Sequence, residues 1–128
     1  MTMNNKRIQT FTDLIVWKEG HKLVIQVYKV TKNFPAEEIY GITSQIRRAS
    51  VSVTSNIAEG FSRKNYKEKI QFYYVASASL SEVKNQLLIS RDVGYLQVEE
   101  YNKLVEQIDS AHKLLNRFIS TTKTFINS

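Results

Sequence analysis

The residues of this chain that could act as general bases, metal ligands or nucleophiles occur at spacings that suit none of these roles. Histidine occurs only as His21 and His112. A carboxylate-bridged di-iron bundle draws Glu-x-x-His pairs from two helices, whereas here a single Asp109-Ser-Ala-His112 stands alone. His21 shares a helix face with Trp17 and Val24 and reads as a hydrogen-bonded core or interface residue. Cysteine is absent, which excludes a disulfide framework and a thiolate metal site and suits a reducing compartment. Serines are numerous, but none has a base at a recognisable motif spacing, and there is no glycine-rich phosphate loop. The expectation is a protein that is not an enzyme and uses no metal or cofactor.

The side chains that do form patterns are cationic. Lys and Arg number 18 against 12 Asp and Glu, a formal net charge of +6. Such an excess attracts polyanions through counterion release, with nucleic acid the obvious candidate; it also serves solubility alone. At about 100° per residue, Lys18, Lys22, Lys29 and Lys32 fall within about 80° of arc, a row of ammonium groups able to track phosphates. Arg63, Lys64, Lys67 and Lys69 form a second cluster, with Tyr66 beside it as a stacking group. Arg48 projects toward Ser44, Ser52, Ser55 and Glu59, where it either meets a phosphate or bonds Glu59. A purely solvated charged face is the plain alternative for each cluster.

These groups need helices to hold them. The one proline and four glycines fall mostly between segments of helical period, which predicts four helices. The first spans about Thr12 to Thr31. The second takes Pro35 in its first turn and runs to about Ala58, with Gly60 just past its end. Asn65 and Glu68 form a capping box for the third, which ends near Gly94. The fourth starts near Gln97, with Glu99 and Glu100 where the dipole favours carboxylates and Lys113 and Arg117 late. The stretch SQIRRASVSVTSNIAEG (44–60) alternates like a strand, yet Ile39, Ile42, Ile46, Ala49, Val53 and Ile57 recur at spacings of three and four, so it reads as helix. Tyr101, Leu104, Ile108, Ala111, Leu115 and Phe118 repeat that seam.

The fold class is therefore all-α, an antiparallel up-and-down four-helix bundle forming a single domain over residues 11–119, with tails at 1–10 and 120–128. At 128 residues such a fold buries about two-thirds of the surface that the unfolded chain exposes. Residues 1–11 lack the apolar core of a signal peptide, and no apolar run approaches the roughly 20 residues of a membrane span, so a cytoplasmic, membrane-free protein is expected.

Apolar side chains exceed what one core can use. The first helix sets Leu14, Trp17, Val24, Ile25 and Tyr28 nearly opposite Val16, Leu23, Val27 and Val30. The third groups Ile70, Tyr73, Leu80 and Leu88 on one side and carries Phe72, Val75, Val83 and Leu87 on others; its run Ala76-Ser77-Ala78-Ser79 allows close approach of another helix. On the second, Tyr40, Val51 and Ala58 form a stripe around Arg47, a residue that needs a carboxylate partner if it is buried. Self-association through Tyr40, Arg47, Val51, Phe72 and Val83 would hide these faces. Coverage by tails or by the other helices is the alternative.

The 44–60 stretch, with Phe34-Pro35-Ala-Glu-Glu-Ile-Tyr-Gly41 before it, resembles the signature of the four-helix-bundle proteins encoded in intervening sequences of bacterial 23S rRNA genes. Trp17-Lys18, Ser79-Leu80-Ser-Glu82, Gln86-Leu87-Leu88 and Arg91-Asp-Val-Gly-Tyr95 are similar to that family as well. The sequence departs from its pattern at Thr54, often proline there, and at Ala78, commonly glycine, changes that bear on local kinks. The resemblance implies a homopentameric ring. It also implies kinship with the accessory protein of diversity-generating retroelements, a basic pentamer that binds its reverse transcriptase and nucleic acid. The functional expectation is an oligomeric nucleic-acid-binding protein, for RNA above DNA. The rival is a scaffold docking a protein such as a reverse transcriptase.

Overall fold

The computed structural model describes residues 7–126. Among them the chain forms four α-helices and no strand: α1 (Ile15–Thr31), α2 (Ile42–Ser62), α3 (Tyr66–Asp92) and α4 (Val98–Lys123), with 3-10 turns at Phe11–Asp13 and Ala36–Glu38. Each helix packs on two others, in the cyclic order α1, α2, α3, α4. This is a four-helix bundle with one shared core.

The Ser/Val stretch is helix throughout. Its hydroxyls bond back to the preceding turn, Ser50 Oγ to the Arg47 carbonyl at 2.9 Å and Thr54 Oγ1 to that of Val51 at 3.1 Å, so they do not compete with the helix ladder. Thr54 is buried and α2 passes through it without a break. Ser52 Oγ reaches Ser79 Oγ at 2.8 Å, joining α2 to α3 at the small-residue run.

Several boundaries and faces differ from the sequence expectation. Pro35 opens the short 3-10 turn rather than α2, which starts after Gly41. Ile39 consequently leaves the core seam and is exposed, while Ile46, Ala49, Val53 and Ile57 keep it. Gly60 lies inside α2, not beyond it. A Cβ there would stand 2.6 Å from Tyr73 Cε1 and 3.0 Å from Phe72 Cβ, so this glycine serves close packing of α2 on α3. Gly94 has φ +87° and ends α3, with Tyr95 N–H bonded to the Ser90 carbonyl and Gly94 N–H to that of Arg91, the Schellman arrangement. Asn65 Oδ1 caps α3 by accepting from the N–H groups of Lys67 and Glu68. Gln97 and Glu100 form the capping box of α4.

At the ends, Asp13 Oδ2 accepts from the N–H groups of Gln9 and Thr10, and α4 continues through residues 120–123, where a tail was expected, with Thr122 buried. The remainder of the two expected tails, residues 1–6 and 127–128, lies outside the described residues.

On α1 the core face is Val16, Gly20, Leu23, Val27 and Thr31, which leaves Ile25 and Tyr28 outside. His21 is also exposed, its ring stacked on Trp17 at 4.7 Å, and so does not enter the core. On α3 the buried arc runs through Ile70, Tyr73, Ala76, Leu80, Val83 and Leu87, wide because one flank meets α2 and the other α4; Leu88 is exposed. Val83 has no exposed surface, so it is a core residue and cannot belong to an outer interface.

Candidate functional site

Lys18, Lys22 and Lys29 lie exposed along α1 and Lys32 exposed at its C-cap, in the common direction that a regular helix gives residues at this spacing. Lys22 donates to Glu19 Oε2 at 3.0 Å, an i,i+3 pair at the surface. Such pairs are worth about 0–1 kcal/mol, which leaves Lys22 able to exchange partners.

Packing adds cations from outside the row. One groove of about 470 Å³ is lined by Arg7, Leu14, Lys18, Leu114, Arg117 and Phe118, among others, with Asp13 at its edge. The next, of about 500 Å³, sets Lys22 and Gln26 of α1 opposite Lys103 and Gln107 of α4, with Glu100 close by. The α1/α4 seam thus gathers Arg7, Lys18, Lys22, Lys103 and Arg117, while Lys29 and Lys32 continue the row toward the end of α1. Arg7, Lys103 and Arg117 are absent from the sequence-derived set. Lys103 and Arg117, two heptads apart on α4, fall within about 40° of one another, and that spacing was the available signal. Which edge of α4 borders α1 was not in the spacing.

The second cluster divides. Arg63 Nη2 bonds Glu59 Oε2 at 3.2 Å, its guanidinium lies 4.8 Å from the Phe72 ring centroid, and its Nε is buried without a hydrogen-bond partner among the described residues. Lys69 Nζ donates to the Phe61 carbonyl at 2.7 Å and lies near that of Gly60, at the C-terminus of α2 where the dipole favours a cation. Burial lowers its pKa. Arg63 and Lys69 are therefore held in the α2–α3 connection, and only Lys64 and Lys67 point freely to solvent. Phe72, half-buried beneath Arg63, is largely covered by its own chain.

Glu59 is held by Arg63, not by Arg48. Arg48 is exposed and borders a shallow depression with Ser44, Gln45, Ser52 and Glu82. Arg47 is half-buried, but its partners are not a carboxylate: Nε donates to Thr31 Oγ1 at 2.9 Å and the guanidinium lies 4.6 Å from the Tyr28 ring centroid. A neutral hydroxyl and an aromatic face suffice because the charge keeps some contact with solvent. Val51, one turn further along α2, is 38% exposed, and Tyr40, on the turn before α2 rather than on the helix, is 93% exposed.

The lone Asp109/His112 pair is engaged in packing. Asp109 Oδ1 accepts from Lys84 Nζ at 2.9 Å, and His112 Nε2 donates to the Ser77 carbonyl at 3.1 Å. Among the described residues no three metal-ligating side chains cluster, and no helix is long and apolar enough to cross a membrane.

The comparisons with known proteins agree with this architecture. The chain is similar to the crystal structure of a protein of unknown function from the S23 ribosomal protein family of Bacteroides thetaiotaomicron, with a TM-score of 0.77 and 20% identity over 83% of this chain and 96% of that one. At that identity the likeness speaks for the fold alone. No curated protein matches. The family described as 23S rRNA-intervening sequence protein matches residues 12–117, from the turn before α1 to the late turns of α4, a span that takes in the α1 lysine row and the α2–α3 cluster and leaves Arg7 and the last core residues of α4 outside. This chain belongs to the 23S rRNA-intervening sequence protein family.

Proposed function

We propose that this protein is a non-enzymatic, oligomeric nucleic-acid-binding protein of the cytoplasm that holds RNA chiefly by phosphate contacts. The observation that carries the reading is the α1/α4 seam, where Arg7, Lys18, Lys22, Lys103 and Arg117 line two grooves against Asp13 and Glu100 in their linings and Glu19, which pairs with Lys22. Cations spaced along a helix face neutralise successive phosphates and release counterions, which favours polyanions with little regard to sequence.

Assembly multiplies such contacts, because each copy repeats the seam. Self-association is supported by the apolar surface that the bundle leaves outside: Ile25 and Tyr28 on α1, Tyr40 and Val51 at α2, and Tyr74, Val75 and Ile89 on α3. A pentamer is the form that the family resemblance implies. Antiparallel packing of neighbouring helices is supported by contacts that run in opposite directions along the chain: Thr31 with Arg47 and Gly20 beside Thr54 for α1 and α2, Ser52 with Ser79 and Gly60 beside Tyr73 for α2 and α3, and Tyr73 with Phe118 and Lys84 with Asp109 for α3 and α4.

The test is fluorescence anisotropy of a labelled RNA over a salt series, with light scattering on the same samples. Lys18→Glu plus Lys22→Glu should lower affinity at least about tenfold and flatten the salt slope by about two, with helicity unchanged. Unaltered binding in the double variant removes the α1 row from the reading, and a native protein that ignores RNA at low salt removes the reading. Recovery of one protein partner with no nuclease-sensitive material would transfer the Tyr40/Val51 surface to the docking of that protein.

A further inference from the structure

Phosphate contacts alone do not distinguish a paired strand from an unpaired one. The α2–α3 turn carries groups that do. Tyr66, the first residue of α3, and Phe125, just beyond α4, stack with ring centroids 5.2 Å apart and planes 25° from parallel. Both stay open to solvent, 42% and 46% exposed. Beside them lies a groove of about 410 Å³ lined by Lys64, Asn65, Tyr66, Lys67, Phe125 and Ile126, within the roughly 300–1,000 Å³ of small-ligand sites. Lys64 and Lys67 carry no ion-pair partner among the described residues, whereas neighbouring Arg63 is occupied by Glu59. The N–H groups of Lys67 and Glu68 already bond Asn65 Oδ1, so the start of α3 offers those donors to no anion. What remains is a pair of exposed ammonium groups beside an aromatic platform.

Resting on the nucleic-acid reading above, we infer that Tyr66, with Phe125 behind it, is a stacking site for one unpaired base of a single strand, whose flanking phosphates are met by Lys64 and Lys67. A base continues the ring stack through its π-face, a contact indifferent to base identity and worth about 1–3 kcal/mol. A base inside a duplex already has both faces covered and gains nothing there. The site therefore prefers loops, unpaired overhangs and single strands.

The experiment compares three labelled ligands of about 12 nucleotides on the native protein: a single strand, its blunt duplex and an abasic strand of equal charge. The single strand should bind about tenfold tighter than the abasic strand. Tyr66→Ala should abolish that advantage and leave the duplex and abasic affinities unchanged, while Tyr66→Phe keeps it. Equal native affinity for the ordinary and abasic strands overturns the stacking site without requiring any variant. So does a Tyr66→Ala loss of equal size on all three ligands. A native protein that binds none of them overturns the parent reading as well, whereas duplex binding with no strand preference overturns this inference only.

Discussion

Two clusters of positive charge look equivalent in the sequence and differ in the fold. Along α1 the lysines stand on a solvent face, and among the described residues Lys22 alone of them has an ion pair, with Glu19 at 3.0 Å. At the α2–α3 turn, Arg63 bonds Glu59 and covers Phe72, and Lys69 closes the carbonyl end of α2. The difference teaches that a cation near apolar side chains and helix ends is recruited into the architecture, while one on a regular outer face stays available to a ligand. The turn should therefore answer to packing and pH, and the α1 row to salt and ligand.

The largest effect that would sharpen this contrast is at Gly60. Gly60→Val has to push Tyr73 and Phe72 aside, since even a Cβ would come within 2.6 Å of the Tyr73 ring. A loss of about 2–3 kcal/mol in urea unfolding is expected. Gly60→Ala should lose less, because alanine recovers about 1 kcal/mol of helix propensity. Stability unaffected by valine would break the assignment of this end of the bundle to close packing.

Of similar size is the response to alkali. Tyr73 is buried and its phenol is pushed up to about 12 from the ordinary 10.0. Above pH 10.0 the unfolded chain has released this proton while the folded chain still holds it. The stability is therefore complete below the ordinary value and is lost as pH rises toward about 12, by roughly 2–3 kcal/mol. Tyr95 adds in the same direction: its hydroxyl donates to Glu38 Oε2 at 2.8 Å, and that bond raises its pKa. Melting followed from neutral pH upward should fall steeply in this window, and Tyr73→Phe should remove part of the fall.

Arg63→Ala should cost about 1 kcal/mol of stability through the lost ring contact and ion pair, with RNA affinity little changed. A large affinity loss with intact stability would return Arg63 to the ligand-binding set. The smallest effect belongs to Lys29→Gln, which should stay within about 0.5 kcal/mol of native stability and lower the magnitude of the salt slope by about one. Together these two variants invert one another's readouts if the contrast between the clusters holds.

Much of the fold was legible because helix formation is local. The spacing of Ile46, Ala49, Val53 and Ile57, and the capping residue Asn65, lie within a few turns of chain and mark the helices before their packing is known. The α1 lysine row was legible for the same reason, since one helix sets the mutual direction of its own side chains. Legibility failed where a residue's role depends on another element. Val83 looked like an outer residue because α3 is apolar nearly all round, and only the positions of α2 and α4 select its buried arc. Gly60 looked like a helix stop, and only Tyr73 from the next helix shows it to be a point of close approach.

The sequence by itself thus determined the number of helices, their seams and the line of charge on α1, because 3.6 residues per turn converts spacing into direction within one helix. The tertiary structure decided which face of α1 is core, that Arg47 rests on Thr31 and Tyr28 rather than on a carboxylate, that Arg7, Lys103 and Arg117 join the α1 seam, and that Phe125 lies against Tyr66. Those outcomes depend on how separate helices settle against one another, which is set by the simultaneous packing of all four seams and not by the period of any one.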